Sequence, residues 1–328
     1  MHMRFISIFL IGIFISLSGC GYNNQTSENV TLSNNVVKGE LIFKDLIVDS
    51  IKRTYALYIP TAYSYNSQHP LVFYFHGGGG NALNADKSTL FSQKAEKENF
   101  ILVYPQGTNR IFENRLLTWN AQFCCGYAMK NNVDDITFIS KLYEKLSNEY
   151  SINASQVFAT GFSNGGILTH HVGIELSDIF TAVAPVGSQI GGQETSESNF
   201  YFPSKKPSKN ISVLIINGEL DSRVPFSGGI PLDGDDTNVH RWSSSNASLS
   251  YWLNANGCNK EDVEVEKLNS NVRVEVYCQT VVDTKVSLIN VEDGTHSWHG
   301  GDYEPFGGVE VSSSLNATDY IWNFFTSN

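Results

Sequence analysis

A serine flanked by glycines stands in Gly161-Phe162-Ser163-Asn164-Gly165-Gly166. An apolar run at 157–160 precedes it and a helical pattern begins near Asn164, so the serine falls on a tight strand-to-helix turn that lifts its oxygen clear of a sheet. Such a hydroxyl is suited to nucleophilic attack if a base takes its proton and an acid fixes the tautomer of that base. In strand-end arrangements of this kind the acid and then the base follow the serine along the chain. Asp221 comes just past the apolar run 213–216, in Asn217-Gly218-Glu219-Leu220-Asp221, at the strand end where such sheets carry functional groups. His296 follows the run 286–291, in Asp293-Gly294-Thr295-His296-Ser297-Trp298-His299. Glu219 is the rival acid, and His299 and His240 are the rival bases. His170 and His171 precede the acid within the helix after the serine, where packing or exposure explains them. Asp233, Asp235 and Asp236 read as solvated loop residues.

An attacked carbonyl develops negative charge and needs donors already aimed at it. The backbone N–H of Asn164, next after the serine, is one. Phe75-His76-Gly77-Gly78-Gly79-Gly80, directly after the apolar run 71–75, supplies the other through Gly77 or Gly78, where bare backbone can approach a substrate oxygen. His76 is expected to shape this loop rather than to act as base. The run is no phosphate loop, since the Lys-Ser/Thr ending is absent.

Strands that could carry these groups are expected at 71–75, 101–104, 157–160, 181–186, 213–216 and 286–291, all read as buried, with 41–48 and 55–59 as an opening antiparallel pair. Helices are expected at 86–98, 135–149, 164–176, 245–256 and 316–325. The alternation predicts an α/β fold with a mostly parallel sheet and helices on both faces. Asp134 and Asp135 are expected to cap the helix they precede. Two long polar stretches, 189–210 and 225–241, read either as lids or binding loops or as surface insertions.

The chain has 328 residues, 41% of them hydrophobic, enough for one large domain. Its 22 basic and 33 acidic residues leave a formal charge of −11 with no basic run, which argues against nucleic acid as a partner. Residues 1–19 read as an export signal: Arg4, a short apolar core, then Leu17-Ser18-Gly19 before Cys20, a bacterial lipobox pattern. Cys20 would then carry the acyl chains of a membrane anchor. Residues 20–36 read as a flexible tether, and 37–328 as the folded domain. The expected location is the bacterial cell envelope, with Gly21 favouring the outer membrane, or secretion. The remaining cysteines, Cys124, Cys125, Cys258 and Cys278, allow three pairings in an oxidising compartment. Cys258 with Cys278 is favoured, because the pair flanks 263–276, which alternates like a hairpin. Cys124 and Cys125 are adjacent and stand either as a vicinal disulfide or as two thiols. No metal site is expected.

Five motifs occur together and in order: Phe75-His76-Gly77-Gly78-Gly79; Thr118-Trp119-Asn120 with Cys124-Cys125-Gly126; Val133-Asp134-Asp135-Ile136; the serine motif; and Thr295-His296-Ser297-Trp298. From about Val37 onward the chain thereby resembles the polyhydroxybutyrate depolymerase and feruloyl esterase-like branch of the α/β-hydrolases. The resemblance implies a secreted serine esterase with Ser163 as nucleophile, Asp221 as acid and His296 as base, working without a cofactor. It implies feruloyl, acetyl or 3-hydroxyalkanoate esters as substrates, and it supports the Cys258–Cys278 bridge. Trp119 and Trp298 become candidate pocket walls, against core packing as the plainer role. Two positions depart from the family pattern: His299 stands where Pro often follows, and Glu219-Leu220 replaces the commoner residues before the acid. A serine peptidase or a non-catalytic surface binding protein of the same fold are the alternatives.

Overall fold

A computed structural model describes residues 36–232, 240–278, 284–302 and 309–327. The export signal, Cys20 and the tether as far as residue 35 lie outside the described residues, as do Asp233, Asp235 and Asp236. Among the described residues no helix is long and apolar enough to cross a membrane.

The elements run β1 (Leu41–Val48), β2 (Ile51–Tyr58), β3 (His69–Phe75), α1 (Ala82–Thr89), α2 (Phe91–Glu98), β4 (Ile101–Pro105), α3 (Gly126–Lys130), α4 (Asp135–Glu149), β5 (Ile152–Phe162) and α5 (Asn164–Glu175). They continue through β6 (Ala182–Val186), β7 (Gly192–Gln193), β8 (Ser212–Gly218), β9 (Arg241–Trp242), α6 (Ser245–Asn256), β10 (Val263–Asn269), β11 (Val272–Tyr277), β12 (Val286–Val291) and α7 (Ala317–Thr326). One ten-stranded sheet has the order β1-β2-β4-β3-β5-β6-β8-β12-β11-β10. Its middle six strands, β4 to β12, are parallel. Antiparallel hairpins close both edges.

The buried strands read as apolar runs because both faces of the sheet are covered. Successive side chains alternate: Leu71, Phe73 and Phe75 join one core with Phe138 of α4, Leu168 of α5 and Trp252 of α6. Val72 and Tyr74 join the other with Phe91 of α2 and Phe325 of α7. Ring stacks dock the last helix, Phe158 on Phe325 at 4.6 Å and Phe100 on Trp322 at 4.3 Å, each worth about 0.5–1.5 kcal/mol beyond the area buried.

Two local expectations are corrected. The helix predicted over 86–98 is two helices, broken at Leu90 with φ 58°. The break is stabilised by Asp86, whose carboxylate accepts from Ser92 N, Ser92 Oγ and Tyr104 Oη at 2.7–3.0 Å. Asp134 does cap α4, accepting from Thr137 N at 2.9 Å, but Asp135 does not. It turns inward as the first residue of the helix, paired with Arg53 Nη2 at 2.6 Å and accepting from Asn120 N at 2.8 Å. Burial raises its pKa, against the pull of Arg53.

Candidate active site

The strand neighbours explain why residues far apart in sequence meet. Phe75 pairs with Gly161, Phe162 with Val186, and Val291 with Gly218, so the loops after β3, β5, β8 and β12 leave the sheet at the same, C-terminal end of the parallel strands. Ser163 sits at the end of β5 with φ 55° and ψ −121°, a conformation a non-glycine residue holds only when its surroundings enforce it. Its N–H donates to Val186 O at 3.0 Å and its carbonyl accepts from Ile167 N at 2.9 Å. The turn closes against bare backbone. A Cβ on Gly161 would lie 2.6 Å from Gly165 O, and one on Gly165 would collide with Phe75 O and lie 2.5 Å from His76 O.

His296 stands between Ser163 and Asp221. Its Nε2 is 3.0 Å from Ser163 Oγ and its Nδ1 is 2.7 Å from Asp221 Oδ2. The other carboxylate oxygen accepts from the backbone N–H groups of Arg223 at 2.9 Å and Val224 at 2.7 Å. A carboxylate so held accepts a hydrogen bond from Nδ1–H, which leaves Nε2 free to accept from the serine hydroxyl. Asp221 and His296 are buried. The two loops are locked to each other as Glu219 N donates to Val291 O at 3.0 Å and Leu220 N to Gly294 O at 2.9 Å.

None of the rivals shares this arrangement. The Glu219 carboxylate is exposed and bonded to Asn290 Nδ2. His240 is exposed, its backbone N–H tied to Gln193 O. His170 accepts from Trp252 Nε1 at 2.9 Å, and His171 is bonded to Gln122. His299 is buried beside Gly294, and burial pushes its pKa down to about 4.

The glycine loop after β3 lies over the serine. A Cβ on Gly77 would be 3.6 Å from Ser163 Cβ, and one on Gly78 would be 3.5 Å from Asn164 Cβ. Gly79 N donates to Leu117 O and Gly80 N to Gly77 O, whereas the N–H groups of Gly77 and Gly78 have no acceptor among the described residues. His76 shapes the loop. Its Nδ1 donates to Gly77 O at 2.8 Å and its Nε2 accepts from Gly107 N at 3.0 Å; burial pushes its pKa down to about 4, so the ring is neutral.

The two tryptophans have different places. Trp119 is wholly buried and has no surface to offer as a pocket wall. Trp298 packs on Tyr74 and Phe91, yet one edge lines a small apolar cavity with Phe162, Gly77 and Ala85. The cysteines form Cys258–Cys278, with Cα atoms 5.2 Å apart across the base of the β10–β11 hairpin, and a vicinal Cys124–Cys125 pair. The two long stretches are joined to each other through β7–β9, and the second folds back onto β9 at the Gly229–Trp242 bridge. Phe123 packs between Tyr201 and Trp242 at 5.8 and 5.7 Å.

A buried polar network behind the acid loop had no place in the sequence reading. Asn217 bonds both backbone groups of Ser188 and the hydroxyl of Ser245, while Gln189 donates to Pro225 O. An asparagine ending the apolar run 213–216 was its one visible signal.

The family described as esterase PHB depolymerase matches residues 53–260. Probable feruloyl esterase C of Aspergillus niger is 27% identical over 282 residues, which cover 83% of each chain. Feruloyl esterase B of Piromyces equi is 21% identical over 238 residues; the match takes in 73% of this chain but 41% of that longer protein. Among solved structures, acetyl xylan esterase from Aspergillus awamori superposes with a TM-score of 0.59 over 88% of this chain and 100% of its own. At 12% identity that likeness bears on the fold.

Proposed function

The chain belongs to the esterase PHB depolymerase family, and from that premise we propose that it is an exported serine carboxylic ester hydrolase working through an acyl-enzyme. What supports this most is the unbroken line Asp221–His296–Ser163, at 2.7 and 3.0 Å. His296 Nε2 takes the hydroxyl proton as Ser163 Oγ bonds to the ester carbonyl carbon. The carbonyl oxygen becomes an oxyanion beneath the N–H groups of Gly77, Gly78 and Asn164, each such donor being worth roughly 2.7–4 kcal/mol in the transition state. As the tetrahedral adduct collapses, the imidazolium returns the proton to the departing alkoxide. Water then attacks the acyl-enzyme by the same route, freeing the acid and restoring Ser163. Asp221 stays ionised, orienting the ring and stabilising its charged form.

The substrates we propose are feruloyl, acetyl or 3-hydroxyalkanoate esters, the first being the ester named for the similar fungal proteins. The lipobox pattern supports an envelope location with Cys20 as the lipid-bearing residue. A fluorophosphonate probe tests the nucleophile: mass spectrometry should find the adduct on the peptide carrying Ser163. A folded protein that stays unlabelled, or labels elsewhere, overturns the reading.

A further inference from the structure

We propose that Trp119 is a positioning residue that clamps both halves of the oxyanion hole; the inference rests on the ester hydrolase reading above. Its indole Nε1 donates to His76 O at 2.9 Å. That carbonyl belongs to the same planar peptide unit as the N–H of Gly77, and in a trans peptide the two point in opposite directions. Holding the carbonyl inward on Trp119 therefore turns the Gly77 N–H outward, toward the cleft over Ser163. The peptide is trapped from a second side by Gly165, where even a Cβ would lie 2.5 Å from His76 O.

The same residue grips the other donor. Trp119 N donates to Asn164 Oδ1 at 2.8 Å, and Asn164 Nδ2 donates back to Trp119 O at 3.2 Å and to Cys124 O at 3.2 Å. Asn164 is thus fixed through its side chain while its backbone N–H, in the first turn of α5, has no acceptor within the helix. The turn that carries Trp119 is itself anchored. Asp135 holds Asn120 N, and Cys125 N donates to Trp119 O at 3.2 Å. One fully buried residue accordingly fixes the spacing between two donors that come from different strands, and that spacing matters only once an oxyanion forms.

Steady-state hydrolysis of p-nitrophenyl acetate by Trp119→Phe tests this, beside inhibition by an aryl trifluoromethyl ketone, which adds Ser163 Oγ to its carbonyl and leaves an oxyanion in the hole. An aromatic ring is kept, while the N–H is removed together with the five-membered ring that carries it. We expect kcat to fall about tenfold or more with KM within about twofold, and affinity for the ketone to fall by a similar factor, short of the loss seen when a donor itself is deleted. Asn164→Ala, which cuts the other grip, should behave alike and decides the matter if Trp119→Phe does not fold. Folded variants with kcat within about twofold of the parent, or with kcat lowered but ketone affinity intact, overturn the clamp. Ser163→Ala in the same assay keeps the two claims apart: if it retains activity, the hydrolase reading fails, whatever Trp119 does.

Discussion

One oxygen of Asp221 meets His296 Nδ1 at 2.7 Å while its other oxygen takes two backbone N–H groups, from Arg223 and Val224. The carboxylate is therefore fixed before it orients the ring. Asp221→Asn preserves that shape but can donate to Nδ1 and stabilise the wrong tautomer. It should lower kcat about ten-thousandfold with little change in KM. Glu219→Gln, altering an exposed carboxylate two residues away, should leave kcat within about twofold. Kinetics on a soluble ester with both variants checks the pair.

Gly165 lies where α5 leaves the serine turn, and a side chain there would strike Phe75 O and press on His76 O. Gly165→Ala must push the helix start away from the glycine loop, separating Asn164 from Gly77. We expect a loss of several kcal/mol in stability, activity or both, since neither contact is a flexible side chain. Thermal melts and kcat/KM measured together check this.

Two buried histidines bear on acid stability. Burial lowers His76 and His299 from 6.5 to about 4; for His299, Asp221 and Asp293 pull the other way and His296 adds to the lowering. The unfolded chain protonates these rings first, so their contribution is whole above about pH 6.5 and is lost as pH falls toward 4. About 3 kcal/mol is at stake for each. His299→Gln should therefore flatten the fall in melting temperature between pH 7 and pH 4.5. An unchanged slope would count against a neutral buried ring.

The Cys258–Cys278 bridge closes a loop of sequence separation 20. Replacing both cysteines by alanine should cost about 3 kcal/mol, read as a lower urea midpoint. The hairpin lies at the sheet edge opposite the β1–β2 pair, so kcat in the folded variant should hold.

Much of this architecture was legible because the signals are local and periodic. The strands after which Ser163, Asp221 and His296 fall are apolar runs buried on both faces, and the glycines around Ser163 mark the turn by themselves. The break at Leu90 was not legible, since it depends on Asp86 reaching both Ser92 and Tyr104. Asp135 looked like a cap because its partner, Arg53, stands 82 residues away. For Trp119 core packing was the plainer role beside a pocket wall, and it is buried; its hydrogen bonds to His76 and Asn164 left no trace, because they exist only once three loops have come together. Partners distant in sequence leave no periodic trace.

The most direct test of the account is hydrolysis of p-nitrophenyl acetate and methyl ferulate by residues 21–328, compared with the same chain carrying Ser163→Ala. The account predicts turnover of at least one ester by the parent and a fall to background in the variant, with unchanged melting temperature. Equal rates in parent and variant would remove Ser163 as the nucleophile and contradict the account.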